Sequence, residues 1–244
     1  MELGEVRRRL QRAPWGVFPS VVILADVAMA KNHPSFGAAK AGDAKAAESV
    51  ADDTLAVAGV EPVRLLISNA RPYLLPVHAV EVIGMNAIPK AFARRLGQRL
   101  ELPVASGIIQ MNRVSHTGAD GYHRLAFPPV FEGDVEAVDY LLIDDFVGQG
   151  GTLANLRGYL ESNNGRVLGA VTLTGKAYSA GLRLTQETLG ALREKHGEKL
   201  EKWWITTFGY GFDRLTESEA RYLIRSDDAD RASARIIEAR RAGD

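Results

Sequence analysis

The sequence predicts an α/β protein with a mostly parallel sheet and helices on both faces, on three observations. Apolar runs of strand length alternate with segments whose apolar residues recur at helical spacing. The run from Val167 to Thr174 has the composition of a strand buried on both faces. At 244 residues and 46% hydrophobic content, the chain can bury the core such a sheet requires.

The elements follow in chain order. Val17 to Ala25 is apolar, preceded by Arg7-Arg8-Arg9 and followed by Ala28-Met29-Ala30, an arrangement that imitates a signal peptide. Glu2 and Glu5 dilute the basic end, Pro19 interrupts the apolar run and Asp26 follows it, so a buried helix of the mature fold is expected instead. Ala38 to Ala58, rich in Ala, Lys, Asp and Glu, reads as an exposed helix. Arg64 to Ser68 and Tyr73 to Val77 read as strands. Ile88, Phe92, Leu96 and Leu100 line one face of a helix, with Pro89 suited to its first turn. Val104 to Ile109 and Tyr140 to Ile143 are expected strands, and Leu153, Leu156 and Leu160 mark a helix that Asn163-Asn164-Gly165 ends. Trp203 to Phe212 reads as a last strand with aromatic core residues. Glu217 to Arg241 reads as one or two surface helices broken near Asp227-Asp228.

Composition narrows the function classes. Thirty basic residues balance thirty acidic ones, so no overall field selects nucleic acid or an anionic membrane. The absence of cysteine excludes disulfides, thiolate metal sites and cysteine nucleophiles, and fits a reducing, cytoplasmic compartment. No stretch reaches the roughly 20 apolar residues of a membrane span.

A parallel sheet binds ligands at the carboxyl ends of its strands, which directs attention to the turns after Val77, Ile109, Ile143 and Thr174. The third carries the strongest signal: Leu141-Leu142-Ile143-Asp144-Asp145-Phe146-Val147-Gly148-Gln149-Gly150-Gly151-Thr152-Leu153. An apolar strand is expected to deliver two adjacent carboxylates to its exposed end. Gly148, Gly150 and Gly151 let the backbone turn N–H groups towards a ligand, and Thr152 opens a helix whose N-terminus favours phosphate. Asp144 and Asp145 suit sugar hydroxyls beside that phosphate. No Gly-Lys-Ser/Thr follows the glycines, which excludes a P-loop, and their spacing excludes a dinucleotide fingerprint. A plain strand-to-helix turn with capping aspartates is the bland alternative.

From Tyr140 to Leu153 the sequence resembles the type I phosphoribosyltransferase family, whose signature is four apolar residues, two acidic ones and a loop ending Gly-x-Thr. Gln149 departs from it, standing where the family has a small hydroxyl residue. The resemblance implies that ribose 5-phosphate moves from phosphoribosyl pyrophosphate to a nitrogenous base, a purine on the strength of Lys176 and the Phe208 to Asp213 stretch, with release of pyrophosphate. That would be glycosyltransferase chemistry in nucleotide salvage. It also implies that Asp144 and Asp145 act on the ribose, that Val147, Gly148, Gln149, Gly150, Gly151 and Thr152 hold the 5-phosphate, and that Gly84 and Asn86 belong to a pyrophosphate loop. A lid between Gln110 and Asp134 would contribute a cation, Arg113 first among Arg113, His116, His123 and Arg124. Magnesium would be held by Asp144, Asp145 and Asp213, and Trp203 and Trp204 could face the base.

The same resemblance implies a homodimer and a division into an N-terminal helical segment (1–60, a candidate hood over the acceptor), a core (61–215) and C-terminal surface helices (216–244). A non-catalytic sensor of phosphoribosyl pyrophosphate and a hydrolase of another phosphorylated sugar are the competing readings.

Overall fold

Alternating apolar positions along two long strands organise the structure, a computed structural model that describes residues 10–78, 80–81, 84–112 and 120–243. The elements are β1 (Val22–Ala25), α1 (Val27–Lys31), α2 (Phe36–Lys40), α3 (Ala44–Ala58), α4 (Glu61–Ile67), β2 (Tyr73–Pro76), β3 (Val80–Glu81), β4 (Gly84–Met85) and α5 (Ile88–Leu100). There follow β5 (Ile109–Gln110), α6 (Gly121–Ala126), β6 (Phe131–Glu132), β7 (Asp139–Val147), α7 (Gly151–Ser162), β8 (Arg166–Gly175), α8 (Gln186–Phe208), α9 (Glu217–Ile224) and α10 (Ala229–Gly243).

The main sheet has the order β1-β8-β7-β2, and all its pairings are parallel. Leu75 lies opposite Leu142, and Ile143 opposite Val171. Successive side chains of a strand leave on opposite faces, and the core divides accordingly. Leu75, Leu142 and Ala170 join one buried cluster, with residues of α6 to α10. Leu74, Leu141, Ile143, Val171 and Leu173 join the other, with residues of α1 and α2 to α5. The sheet is therefore covered on both faces, as its apolar runs require. β3–β4 and β5–β6 are separate antiparallel pairs.

The expected central elements are present, and several peripheral ones differ. Val17 to Ala25 contributes β1, not a helix: β-branched Val22 and Ile23 pair with Val171 and Thr172 at the sheet edge. The expected helix over Ala38 to Ala58 is divided at Gly42, whose φ is +106°, and it is not exposed. Ala47, Val50, Ala51 and Leu55 of α3 are fully buried, because small side chains allow close helix packing. Arg64 to Ser68 belongs mostly to α4, started by Glu61 and Pro62, with Val63 and Ile67 buried four residues apart. From Val104 to Ile109 only a bridge between Val104 and Leu74 and the start of β5 are strand-like. The aromatic run from Trp203 is not a strand. Leu200, Trp204 and Phe208 are buried at four-residue intervals along α8, which stops at Gly209 with φ +86°. α9 and α10 occupy the expected C-terminal helical region, with the break between them at Arg225 to Asp228, but they are not surface helices alone: Ala220, Leu223, Ala232 and Ile236 are buried in the core. Among the described residues, no helix is long and apolar enough to cross a membrane.

Leu142 is fully buried in the cluster beneath α7. Leu142→Ala should cost about 2–5 kcal/mol, the usual range for a leucine truncated in a close-packed core. Urea unfolding of the two proteins measures it.

Candidate functional site

The central strand is longer than its apolar run. β7 continues through Asp144 and Asp145 to Val147, so the acidic pair lies inside the sheet and is buried. This corrects the expectation of an exposed strand end. The pleat then gives the two side chains different neighbours, although the carboxyls still interact. Asp145 accepts a hydrogen bond at 2.8 Å from Lys40 Nζ, at the end of α2, and its backbone carbonyl accepts one from the Thr174 hydroxyl. Asp144 instead lines a cavity with the loop that follows β7, and its Oδ1 accepts the Asp145 N–H at 2.8 Å. Burial, followed by the neighbouring Asp145 charge, pushes the Asp144 carboxyl well above the usual carboxylate range.

The cavity has a volume of about 40 Å³. At roughly 10–15 Å³ per enclosed water, it has room for a few water molecules or a compact anion. Its floor is the Gly148 to Thr152 loop, and Asp144, Arg124, Pro129 and Tyr210 form part of its wall. Gly150 is the N-cap of α7, at φ +80°, and no side chain caps the helix there. The first N–H groups of α7 therefore lack the usual internal acceptor. The loop is fixed from outside the cavity: the Thr216 hydroxyl donates to the Gln149 carbonyl at 2.6 Å, and Lys176 N–H donates to the Val147 carbonyl at 3.1 Å. The Gln149 side-chain oxygen is buried and has no hydrogen-bond partner among the described residues.

Arg12 and Glu219 close the other end of the cavity. Arg12 donates to both Glu219 carboxylate oxygens at 2.9 Å, to the Arg214 carbonyl at 3.1 Å and to Asn155 Oδ1. Burial opposes the Arg12 charge, but Glu219 and Tyr210 outweigh it and raise its pKa above the ordinary value. A Cβ at Gly151 would lie 2.5 Å from Glu219 Oε1, so a glycine is what lets this carboxylate pack against the start of α7. Arg124 reaches the cavity from α6, and burial lowers its pKa against the pull of Asp120.

The structure thus gathers Asp144, Val147, Gly148, Gln149, Gly150, Gly151 and Thr152 around one cavity, with Asp145 directly behind them. Arg124, one of the expected lid cations, lines the cavity too, and the other expected residues that are described do not. Gly84 lies in β4, and Asn86, just ahead of α5, accepts the Ile88 N–H at 3.2 Å. Lys176 is exposed with its ammonium 5.6 Å from the Tyr178 ring. Asp213 sits in a 3₁₀ turn beside Arg214, so the three carboxylates expected to hold magnesium do not converge. Among the described residues, no group of three or more His, Asp or Glu side chains is placed to hold a metal ion. Trp203 and Trp204 belong to α8, with Trp204 packed against Phe208, and His123 stacks on Phe127. Arg113 and His116 lie outside the described residues. Sequence reasoning missed Lys40, Arg12 and Glu219. Arg12 and Glu219 are 207 residues apart, and no local pattern pairs them.

No family model matches the chain. It is 42% identical over 233 residues to Protein TraN of Escherichia coli, a match covering 95% of this chain and 52% of that protein. It is 38% identical over 160 residues to an uncharacterized protein of Haemophilus influenzae, covering 65% of this chain and 36% of that one. The chain thus spans about half or less of the length of these curated relatives. Among solved structures, adenine phosphoribosyltransferase from Leishmania donovani superposes over 80% of this chain and 73% of its own, at 15% identity and a TM-score of 0.35. A superposition this loose carries no argument about function.

These findings overturn the phosphoribosyltransferase activity and the salvage role expected from the loop. At 42% identity over nearly the whole chain, the relative is Protein TraN and not a phosphoribosyltransferase. The resemblance from Tyr140 to Leu153 covers one strand and its turn, and a binding loop does not fix the reaction performed around it.

The buried Asp144 carboxyl gives a pH-dependent expectation. Its folded-state pKa is raised, so above 3.8 the folded protein holds a proton that the unfolded chain releases, and stability falls as pH rises. Asp144→Asn should therefore be more stable than wild type at pH 7, with the gain shrinking as pH approaches 3.8. Denaturant unfolding of both proteins at several pH values tests this.

Proposed function

We propose that the chain is a binding module for a small phosphorylated sugar, whose phosphate alone is seated in the cavity between the β7–α7 loop and α6. The observation that carries the reading is the uncapped N-terminus of α7, presented by Gly148 to Gly151 into a cavity that Arg124 also lines. Orphan N–H groups and the helix dipole favour an anion there, and a partly desolvated guanidinium adds a charge-assisted donor.

Asp144 and Gln149 supply the contacts for hydroxyls. The Asp144 carboxyl lines the cavity, and the unpartnered Gln149 oxygen accepts. Asp145 is engaged by Lys40 and holds the strand end in place. This arrangement needs no transfer chemistry. The stretch of TraN matched by this chain is proposed to bind the same ligand class.

Calorimetric titration with ribose 5-phosphate, inorganic phosphate and ribose, each with and without magnesium, tests the reading. Ribose 5-phosphate should bind most tightly, inorganic phosphate more weakly and ribose not measurably. Arg124→Ala should weaken ribose 5-phosphate by about tenfold or more, since a hydrogen bond to a charged group contributes about 1.5–3 kcal/mol. Absence of heat with both phosphate ligands, or equal binding of ribose, would overturn it.

A further inference from the structure

Arg124 stands on a helix that cannot position itself. α6 has six residues, well below the roughly 12 at which an isolated helix becomes even marginally stable in water. Its place is set by what packs on it, and the packing comes from the C-terminal helices. Tyr122, Leu125 and Ala126 share a buried cluster with Ala232 and Ile236 of α10. The Arg235 guanidinium lies 5.2 Å from the centre of the Tyr122 ring, and the Arg240 guanidinium 5.7 Å from that of Phe127. Tyr122 also meets the Tyr222 ring of α9 edge-on at 4.9 Å. Tyr122 thus contacts both a guanidinium and a second ring, in geometries attractive to the aromatic quadrupole.

The far side of α6 faces the ligand cavity. Arg124 Nη1 comes within 3.3 Å of where a Cβ on Gly148 would stand, so its guanidinium covers the loop closely. A cation so placed acts on a phosphate only over a short range, and small displacements of its helix change the contact.

We propose that α10 is a brace for this cavity: Arg235, by holding Tyr122, is a positioning residue that keeps Arg124 over Gly148 and so sets the affinity for phosphate. The proposal rests on the phosphate-binding reading above and adds its control from the C-terminus. Arg235 touches no part of the cavity itself; its effect passes through Tyr122 and the α6 backbone.

The test is a double-mutant cycle on the full chain, read by ribose 5-phosphate titration of wild type, Arg124→Ala, Arg235→Ala and the double variant. Arg235→Ala should weaken binding by roughly two- to fivefold, the range of one cation–π contact at an exposed site. The double variant should bind no more weakly than Arg124→Ala alone. Arg235→Lys should restore most of the loss, because an ammonium also lies favourably over a tyrosine ring. Hydrogen exchange in Arg235→Ala should quicken at α6 amides and stay unchanged in β7 and β8, which separates a moved helix from an unfolded protein. Wild-type affinity in Arg235→Ala, independent losses in the double variant, or exchange that quickens throughout the sheet would overturn the brace and leave the phosphate site standing. Failure of the wild-type protein to bind would overturn the site and the brace with it.

Discussion

The pleat of β7 is the constraint on which the site depends. Adjacent side chains of a strand leave on opposite faces, so Asp144 and Asp145 meet different neighbours, although their carboxyls remain close enough to interact. Asp145 is tied to Lys40 and so to the helices on one face of the sheet. Asp144 is left beside the β7–α7 loop on the face that α6 to α10 cover, buried and displaced upward in pKa. Two carboxylates inside a sheet repel and lose hydration, and the structure meets those costs differently: Lys40 pairs with Asp145, and the Asp144 pKa is raised. The same strand end carries the loop, so the cavity inherits its geometry from the register of β7 against β8.

Around that strand, the cavity is closed by contacts between distant parts of the chain. Arg12, Glu219 and Asn155 tie the N-terminal segment, α9 and α7 together at one end. Glu219 also completes a capping box with Thr216 at the start of α9, and the Thr216 hydroxyl holds the Gln149 carbonyl. One carboxylate therefore satisfies a buried guanidinium, a helix start and, through its neighbour, the loop. A buried pair of this kind is costly to break, because the partner left behind keeps its charge without its hydration.

Much of this was legible in the sequence where patterning is local. The strand from Tyr140, the helix through Leu153, Leu156 and Leu160, and the face of Ile88, Phe92, Leu96 and Leu100 are all present. The aromatic run from Trp203 was misread because its buried residues recur every four positions from Leu200, a helical spacing obscured by the intervening Trp203. α4 was misread because its apolar run is as short as a strand, and only Glu61 and Pro62 mark it as a helix. Lys40 and the Arg12–Glu219 pair were illegible for another reason: their partners lie 105 and 207 residues away, and only the fold brings them together. The turn itself was readable: three glycines after the apolar strand lead into a helix whose start no side chain caps. The reaction inferred from its resemblance was not, because the loop records a ligand group and not what is done to it, and the relatives identified by sequence carry a different name.

The central claim is that the amides from Gly148 to Thr152 bind a phosphate group, and amide chemical shifts followed during titration with ribose 5-phosphate test it most directly. Saturable shifts centred on Gly148, Gln149, Gly150, Gly151 and Thr152, with a weaker response along α6, are the predicted result. Saturable shifts confined to another part of the chain, or none at millimolar ligand, would contradict it.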